Sequence, residues 1–327
     1  MLGEISIEII RKCPNSCMHC SSLSDEQCSE TLEYKKFVSI VTDAVSLGAG
    51  IICLSGGEPF LHPSIIDMVE FANSLNLQTY VYTSGIALDE YNQKASLDTG
   101  VLKAISKSVT KLIFNFEAAK SSTYDEIMGT TGCFDKMKQS IKDAHSFAIT
   151  TEAHFVPMKS NIGEVADVID LCKELNISKL SFLRLVLHGR AQINEDLLAL
   201  SDEELEKLRV SLAGLKEHSA LDIRIGVPLA TNAPGAPCQK CEAANGKINI
   251  KYDGRVYPCE VFKNERISHC FKGVRPESVH DKPLIEIYNN STYLNVVRDI
   301  SKDFFGDTHL ETCVGQYLIN SNGGDCK

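Results

Sequence analysis

Short apolar stretches alternate with longer amphipathic ones through the first 226 residues of the chain. In residues 4–10, Ile5, Ile7 and Ile9 alternate with polar residues, which predicts a strand. Helical periodicity follows, and the same pair of patterns then recurs. We predict strands at 4–10, 51–54, 78–82, 111–116, 151–156 and 180–186, and helices at 31–47, 63–75, 122–128, 134–147, 162–175 and from a capping box at 201–204, with an interrupted helical region reaching 106.

The six strand-and-helix units predict an α/β fold built on a parallel sheet, because consecutive parallel strands need a crossover that is usually a helix. Six units are too few for a closed eight-fold barrel. A stretch rich in proline and glycine at 226–237 interrupts the alternation and indicates a linker. We therefore predict a barrel domain at 1–226 and a second, smaller domain at 227–327.

Composition narrows the classes of function. The 327 residues carry 33 basic and 43 acidic side chains, a net charge of -10, which argues against a surface for nucleic acid or an anionic membrane. No apolar run reaches the roughly 18 residues of a membrane span, and no signal-peptide pattern opens the chain. We therefore expect a soluble, cytoplasmic protein in which the clustered spacings among the 13 cysteines indicate metal binding rather than disulfides.

Three of these cysteines share one short loop after the first predicted strand. Cys13, Cys17 and Cys20 have the spacing C-x3-C-x2-C. Three thiolates spaced in this way can hold three corners of a [4Fe–4S] cube and leave its fourth iron open. A second motif, Ser-Gly-Gly-Glu-Pro, occupies residues 55–59 after the second predicted strand. Together the two motifs resemble the radical S-adenosylmethionine (radical SAM) superfamily.

The resemblance implies an open, TIM-like (β/α)6 partial barrel and a type of reaction. In that superfamily SAM binds the open iron, and the reduced cluster cleaves SAM to a 5′-deoxyadenosyl radical. The resemblance assigns Gly56, Gly57, Glu58 and Pro59 to SAM binding, with the glycines allowing a close approach of the backbone. A zinc knuckle, with His19 or another cysteine as fourth ligand, is the alternative for the cysteine loop. A zinc site would not need the second motif.

Further candidates follow the other predicted strands. The resemblance makes Ser84, Asn115 and Glu117 candidates for SAM contacts, and it places His19 beside the adenine. Arg184, within an otherwise apolar predicted strand, needs an anionic partner, either the SAM carboxylate or a structural glutamate. No catalytic residue is identified. The candidates are the pair Glu152 and His154, for proton transfer or for hydrogen bonding inside the barrel, and Cys133, for donation of a hydrogen atom.

The region after the linker contains a second group of cysteines. Cys241 and Cys259 flank a predicted hairpin with an Asp-Gly turn, which brings the two cysteines together. This pattern resembles the start of a SPASM or twitch auxiliary-cluster domain, although the later cysteine run of a SPASM domain is degenerate here. The resemblance implies one auxiliary [4Fe–4S] cluster on Cys238, Cys241, Cys259 and Cys326. The alternatives are a structural zinc, an open iron, or Cys313 or Cys270 as the fourth ligand.

These features imply a radical SAM enzyme that abstracts a hydrogen atom from its substrate. The SPASM resemblance makes a ribosomally synthesised peptide the leading substrate class. The alternatives are a dehydrogenase or epimerase of a sugar, cyclitol or nucleotide, and a non-catalytic iron–sulfur or zinc scaffold. The first strand begins only a few residues into the chain, so we expect a separate leader-peptide-binding protein to replace the leader-binding domain of many such enzymes. We also expect an electron donor such as flavodoxin or ferredoxin.

Overall fold

The computed structural model describes residues 1–226, 229, 241–307 and 313–320. The strands are β1 (Glu4–Ile10), β2 (Ile51–Gly56), β3 (Gln78–Thr83), β4 (Ile86–Leu88), β5 (Lys94–Ser96), β6 (Lys111–Asn115), β7 (Thr151–Phe155), β8 (Lys179–Phe182), β9 (Asp222–Ile225), β10 (Lys247–Ile250) and β11 (Val256–Tyr257). The helices are α1 (Tyr34–Ser46), α2 (Ile65–Ser74), α3 (Thr99–Ile105), α4 (Ser121–Met128), α5 (Phe134–Ser146), α6 (Val165–Glu174), α7 (Arg190–Ile193), α8 (Glu195–Leu198), α9 (Asp202–His218), α10 (Leu284–Asn290), α11 (Thr292–Asp307) and α12 (Val314–Asn320). None of these helices is long and apolar enough to cross a membrane.

Nine of the strands in the described ranges form one sheet, in the order β11-β10-β1-β2-β3-β6-β7-β8-β9. The six predicted strands, from β1 to β8 without the β4-β5 hairpin, lie side by side in chain order and are all parallel. The predicted α/β fold with a partial barrel is therefore confirmed. Because parallel strands all end at the same edge, the loops after them gather at one face of the barrel.

Two further strands extend the parallel sheet beyond the six predicted units. On one edge, β9 follows the capping-box helix α9 and pairs with β8. On the other edge, β10 pairs parallel to β1, with Glu4 opposite Lys247, and β11 folds back on β10 as an antiparallel hairpin. The hairpin predicted after Cys241 is present, and it continues the sheet of the barrel. The domain limits of 1–226 and 227–327 stay a prediction.

Two stretches differ from the elements that the pattern predicts. The region expected to be an interrupted helix contains the two-stranded sheet β4-β5 before α3. Its turn is formed by Asp89, whose carboxylate accepts from the backbone of Tyr91 and Gln93, so local side-chain bonding replaces helix there. The strand predicted at 180–186 ends at Phe182, and Arg184 therefore lies in the loop after β8 rather than within a strand.

The outer face of the barrel sheet is apolar and packs against the helices, whereas its inner face is polar. In α1, Phe37, Ile40, Val41 and Ala44 are buried, and their spacing of three and four residues puts them on one face of the helix. In β1 the three alternating isoleucines are also fully buried. The intervening polar residues of β1 line a cavity inside the barrel. The alternation of β1 thus separates the helix-packed face from the face on which a site can form.

Candidate cluster sites and cofactor cavity

The loop that carries Cys13, Cys17 and Cys20 is held by hydrogen bonds from a short helix. Arg190, the first residue of α7, donates from Nε to the carbonyl oxygen of Cys17 at 2.7 Å and from Nη2 to that of Ser24 at 2.6 Å. Its backbone N–H donates to the carbonyl oxygen of Cys20 at 2.9 Å. Arg190 is 173 positions from Cys17 in the sequence. Sequence reasoning missed this support because only the fold brings Arg190 to the loop.

The three thiols of this loop suit an iron–sulfur cluster, which binds each thiolate through a different iron. Burial, together with the neighbouring Cys17 and Cys20 thiolates, raises the pKa of Cys13, and burial and Cys20 raise the pKa of Cys17. The backbone N–H of Ser24 donates to Cys20 Sγ at 3.4 Å. An iron–sulfur cluster supplies the positive charge that such buried, mutually repelling thiolates lack. The loop therefore fits a cluster with one thiolate on each of three irons.

The two alternatives for the cysteine loop differ in how their ligands are arranged. A zinc site brings all of its ligands onto one atom, whereas the cysteines of a cluster each bind a different iron. Among the residues that the structure describes, no three His, Cys, Asp or Glu side chains are arranged to hold one metal ion.

Gly56 and Gly57 bring the loop after β2 against the cysteine loop. The Gly57 N–H donates to the carbonyl oxygen of Ile10 at 2.7 Å, and the Glu58 N–H to that of Lys12 at 2.9 Å. Gly56 has φ of +135°, and a Cβ there would overlap the Ile10 carbonyl, while a Cβ at Gly57 would overlap the Lys12 carbonyl. Only glycine permits this approach. Both glycines also line the cavity, so their backbone is open to a cofactor.

Glu58 is fully buried, and protein groups occupy both of its carboxylate oxygens. Oε1 accepts from Thr83 Oγ1 at 2.7 Å, and Oε2 accepts from the N–H of Ser84 at 2.9 Å and from its Oγ at 2.7 Å. Neither Glu58 nor Pro59 is among the residues that line the cavity. The Glu58 side chain thus ties the loop after β2 to the end of β3 and supports the cavity-lining glycines beside it.

A cavity of about 430 Å³ lies at the ends of the parallel strands. This volume is within the range of about 300–1,000 Å³ typical of ligand sites. Residues distant in sequence meet there because the strands end at the same face of the barrel. The cavity gathers most of the predicted cofactor contacts and one predicted catalytic residue, namely His19, Gly56, Gly57, Ser84, Asn115, Glu117, Arg184 and His154.

Beside the cysteine loop, buried polar atoms lack partners. His19 Nε2 lies 3.3 Å from Glu117 Oε1, and Glu117 Oε2 accepts from the N–H of Val156 at 2.9 Å. In the described part of the chain, His19 Nδ1 and both side-chain amide atoms of the buried Asn15 have no hydrogen-bond partner. Buried polar atoms without partners are uncommon in folded proteins. Their presence here fits a polar cofactor beside the loop.

Of the candidate catalytic residues, His154 alone lines the cavity. Burial, reinforced by nearby cations, lowers the pKa of His154 to about 3, so its ring is neutral at physiological pH. Glu152 instead pairs with Lys111, with 2.8 Å between Oε1 and Nζ. Cys133 is fully buried just before α5, and its Sγ lies 3.1 Å from Thr130 Oγ1. The structure therefore brings neither Glu152 nor Cys133 to the other site residues.

Sequence reasoning missed a group of charges at the same cavity. Lys263 is buried, and its Nζ lies 2.6 Å from Glu8 Oε1 and 2.6 Å from Glu260 Oε2. Lys247 Nζ lies 2.6 Å from Glu4 Oε1. The cavity lining includes four of these five residues, Lys263 being the exception. The alternation of β1 was the available signal, because it puts both of its glutamates on the interior face.

A second group of cysteines lies in the C-terminal part of the chain. Gly315 of α12 packs against Val261, two residues after Cys259, because a Cβ at Gly315 would lie 2.7 Å from Val261 Cγ1. Burial, and among the charged groups the Cys313 thiolate, raise the pKa of Cys241. Burial, and next the Cys313 thiolate, raise the pKa of Cys259 to about 12. Cys241, Cys259 and Cys313 are therefore neighbours. They form a half-buried set of thiols that, like the thiols of the N-terminal loop, fits a cluster's positive charge.

Arg184 connects this second group with the cavity. Its side chain lines the cavity, and its Nη2 donates to Cys313 Sγ at 3.0 Å. The other two predicted ligands, Cys238 and Cys326, lie outside the described residues.

Three features now stand together: a parallel partial barrel, a three-cysteine loop beside a cavity lined by glycines, and a second set of cysteines. They define the class of iron–sulfur enzymes that use SAM. The model of the radical SAM superfamily matches residues 7–172, and the chain belongs to that superfamily. The model of the SPASM iron–sulfur cluster-binding domain matches residues 241–314. These matches confirm the predicted cofactors: SAM, a SAM-binding [4Fe–4S] cluster and an auxiliary iron–sulfur cluster.

Known proteins resemble the chain over most of its length. The PqqA peptide cyclase of Rhizobium meliloti (strain 1021) is 25% identical, across 89% of this chain and 74% of its own length. The AdoMet-dependent heme synthase of Methanosarcina barkeri is 21% identical, across 90% and 84%. The crystal structure of Streptococcus suis SuiB bound to S-adenosylmethionine has a TM-score of 0.73 and 17% identity, covering 92% of this chain and 68% of SuiB. At that identity SuiB shows a shared fold.

Proposed function

We propose that this radical SAM enzyme abstracts a hydrogen atom from a residue of a ribosomally synthesised peptide and thereby modifies the peptide. The observation that carries the proposal is the lining of the cavity. Gly56 and Gly57 contribute from the cofactor motif, whereas Lys247 and Glu260 contribute from the region of the auxiliary cysteines. A substrate held there would contact both regions at once. The PqqA peptide cyclases among the relatives support a peptide as the substrate class.

Different residues around the cavity would contact different parts of SAM. When bound, the reduced cluster supplies the electron that cleaves SAM to methionine and a 5′-deoxyadenosyl radical. The backbone of Gly56 and Gly57 lines the cavity and would contact SAM, and the Glu58 carboxylate holds that segment through hydrogen bonds from Thr83 and Ser84. Glu117 fixes one nitrogen of His19 and leaves Nδ1 available to the adenine.

Ser84 and Asn115 would add the remaining polar contacts to SAM. Both line the cavity at the ends of neighbouring strands. Ser84 Oγ already donates to Glu58, so it retains acceptor capacity towards a ribose hydroxyl. No side-chain hydrogen bond of Asn115 is formed within the described residues, which leaves its amide for a ligand.

Transfer of a hydrogen atom from the substrate to the radical that SAM supplies would leave a substrate radical, and product formation would then release one electron and one proton. Cys241 and Cys259 would hold the auxiliary cluster that receives the electron. The low pKa of His154 makes it a poor proton acceptor. We therefore propose that neutral His154 orients the substrate by hydrogen bonding.

The reaction needs partners beyond the chain. One electron per SAM must come from a low-potential donor such as flavodoxin or ferredoxin. We propose that a separate protein binds the leader of the peptide and that the enzyme works in the cytoplasm, where reducing conditions preserve iron–sulfur clusters. A mixture of purified enzyme and substrate that reacts only when a leader-binding protein is added would support this arrangement.

The radical-generating step can be tested without knowing the substrate. Anaerobically reconstituted protein should bind about eight irons per chain, four for each [4Fe–4S] cluster. With dithionite and SAM it should form 5′-deoxyadenosine, measured by liquid chromatography. Cys17→Ala should abolish that product and retain about four irons. Cys28→Ala is the matched control, because Cys28 follows the same loop outside the motif. Wild-type protein that holds both clusters yet leaves SAM intact would contradict the proposal.

The heme synthase relative favours a second candidate, a reaction on a small molecule. The two candidates are separated by anaerobic incubation with SAM, dithionite and peptides encoded next to the gene. Peptide modification by oxidative bond formation predicts loss of two hydrogen masses from the peptide, together with one 5′-deoxyadenosine per bond. Turnover with a small molecule and none with these peptides would favour the second candidate.

A further inference from the structure

Cys313 is the third cysteine that the described residues place near Cys241 and Cys259, and Cys326 lies outside those residues. That resemblance gives the fourth cluster position to Cys326, with Cys313 as an alternative. In the structure, Cys313 directly precedes α12, and Gly315 of that helix packs against Val261, two residues after Cys259, because a Cβ at Gly315 would lie 2.7 Å from Val261 Cγ1. After burial, the Cys313 thiolate raises the pKa of both Cys241 and Cys259. Three cysteines from three separate parts of the chain therefore converge.

Arg184 approaches this group from the barrel. It lies in the loop after β8, on the face of the barrel where the loops after the other parallel strands line the cavity. Its Nη2 lies 3.0 Å from Cys313 Sγ. A guanidinium group is always charged and donates in fixed directions. A charge-assisted hydrogen bond to a thiolate is stronger than one from a neutral donor. The contact thus joins a cavity-lining cation to the sulfur of Cys313.

We propose that Cys313 is a ligand of the auxiliary cluster, in the position expected for Cys326, and that Arg184 raises the reduction potential of that cluster through Cys313. The thiol of Cys313 gives up its proton when it binds iron. A cation that donates to a ligating sulfur stabilises the reduced cluster more than the oxidised one, because the reduced cluster carries one more negative charge. A higher potential would favour acceptance of an electron from the substrate. The inference rests on the auxiliary cluster and not on the proposed peptide substrate.

The ligand assignment is tested by metal content. Cys313→Ala should reduce iron from about eight to about four per chain and remove the auxiliary signal from the electron paramagnetic resonance spectrum. The cluster of the N-terminal loop should remain, which shows that the variant is folded. Cys270→Ala is the matched control, and it should keep all of its iron. A Cys313→Ala protein with about eight irons and an unchanged spectrum would overturn the assignment, as would zinc in place of the second cluster.

The effect of Arg184 is tested by potentiometric titration of the auxiliary cluster. Arg184→Met should keep about eight irons and lower the midpoint potential, whereas Arg184→Lys should restore part of the shift because it keeps the positive charge. Arg224→Met is the control, since Arg224 lines the same cavity and no contact between it and these cysteines is present in the described residues. Equal midpoint potentials in wild type and Arg184→Met, both with about eight irons, would show that Arg184 does not raise the potential of the auxiliary cluster.

Discussion

Single side chains set how closely the two cofactor motifs approach each other. Gly57 meets the cysteine loop backbone to backbone, and the buried Glu58 carboxylate accepts hydrogen bonds from Thr83, the last residue of β3, and from Ser84. Burial raises the pKa of Glu58, and the donors from Ser84 and Thr83 oppose that shift. The Phe60 N–H also donates to Glu58 Oε1, at 3.3 Å, so the carboxylate accepts four hydrogen bonds from the protein.

We expect Glu58→Gln to lower the free energy of unfolding by about 1–3 kcal/mol, the usual cost of leaving buried polar groups unpaired. The amide has one acceptor oxygen where the carboxylate has two, so its NH2 group would face the Ser84 or Thr83 donors. Chemical denaturation of the anaerobic protein measures the change. Glu30→Gln is the control, because Glu30 pairs with Arg11 near the surface and should change the stability little. Equal stability of wild type and Glu58→Gln would contradict the assigned role.

At the scale of elements, a buried charge cluster links the barrel to the C-terminal region. Lys263 follows the hairpin strand β11, and it pairs with Glu8 on β1 and with Glu260. Burial acts to raise the pKa of Glu8, but Lys263, the Ser22 hydrogen bond and Lys251 together outweigh it and hold that pKa below its usual value. The stability that this pair contributes is therefore complete above the usual glutamate pKa and is lost as the pH falls through the lowered value.

We expect Lys263→Ala to lower the free energy of unfolding by about 3–5 kcal/mol at pH 7, because it leaves Glu8 buried without its cation. The difference from wild type should shrink as the pH falls, since protonated Glu8 needs no counter-charge. Denaturation between pH 4 and pH 7 checks both statements. Lys282→Ala is the control, because Lys282 pairs with Glu277 at an exposed site and should matter little. A cost for Lys263→Ala that does not depend on pH would refute the electrostatic explanation.

At the scale of the whole molecule, the barrel and the C-terminal region share one sheet. β10 occupies the edge of β1 that would otherwise be open, with four residue pairs from Glu4 and Lys247 to Ile7 and Ile250. An unpaired parallel strand exposes backbone groups and favours aggregation. The predicted domain limit at residue 226 thus separates β10 from β1, and residues 1–226 alone would leave one edge of β1 without a partner strand.

We therefore expect a fragment of residues 1–226 to aggregate or to unfold without cooperativity, since it lacks the strand that covers β1. Size-exclusion chromatography and thermal unfolding measure this, with the full chain as the reference. A monomeric fragment that unfolds cooperatively and binds about four irons would show instead that the barrel folds independently.

Much of the fold was predictable because it follows from local patterns. The period-2 alternation of β1 and the 3.6-residue periodicity of the helices are properties of neighbouring residues, and the six parallel units follow from them. The hairpin β4-β5 and the addition of β9 and β10 were missed. Their strands are short, and partner choice across a sheet is a long-range contact that local patterns do not record.

The sequence alone determined the radical SAM motifs, because a cluster needs cysteines at fixed spacing on one loop, and glycine is required where two backbones meet. Only the tertiary structure decided which distant side chains serve those motifs. In the folded chain, Arg190 donates to the carbonyl oxygen of Cys17, Glu58 accepts from Thr83, and Arg184 donates to Cys313. Spacing is fixed by covalent connection, whereas these contacts depend on where parallel strands end, and that is set by packing of the whole barrel.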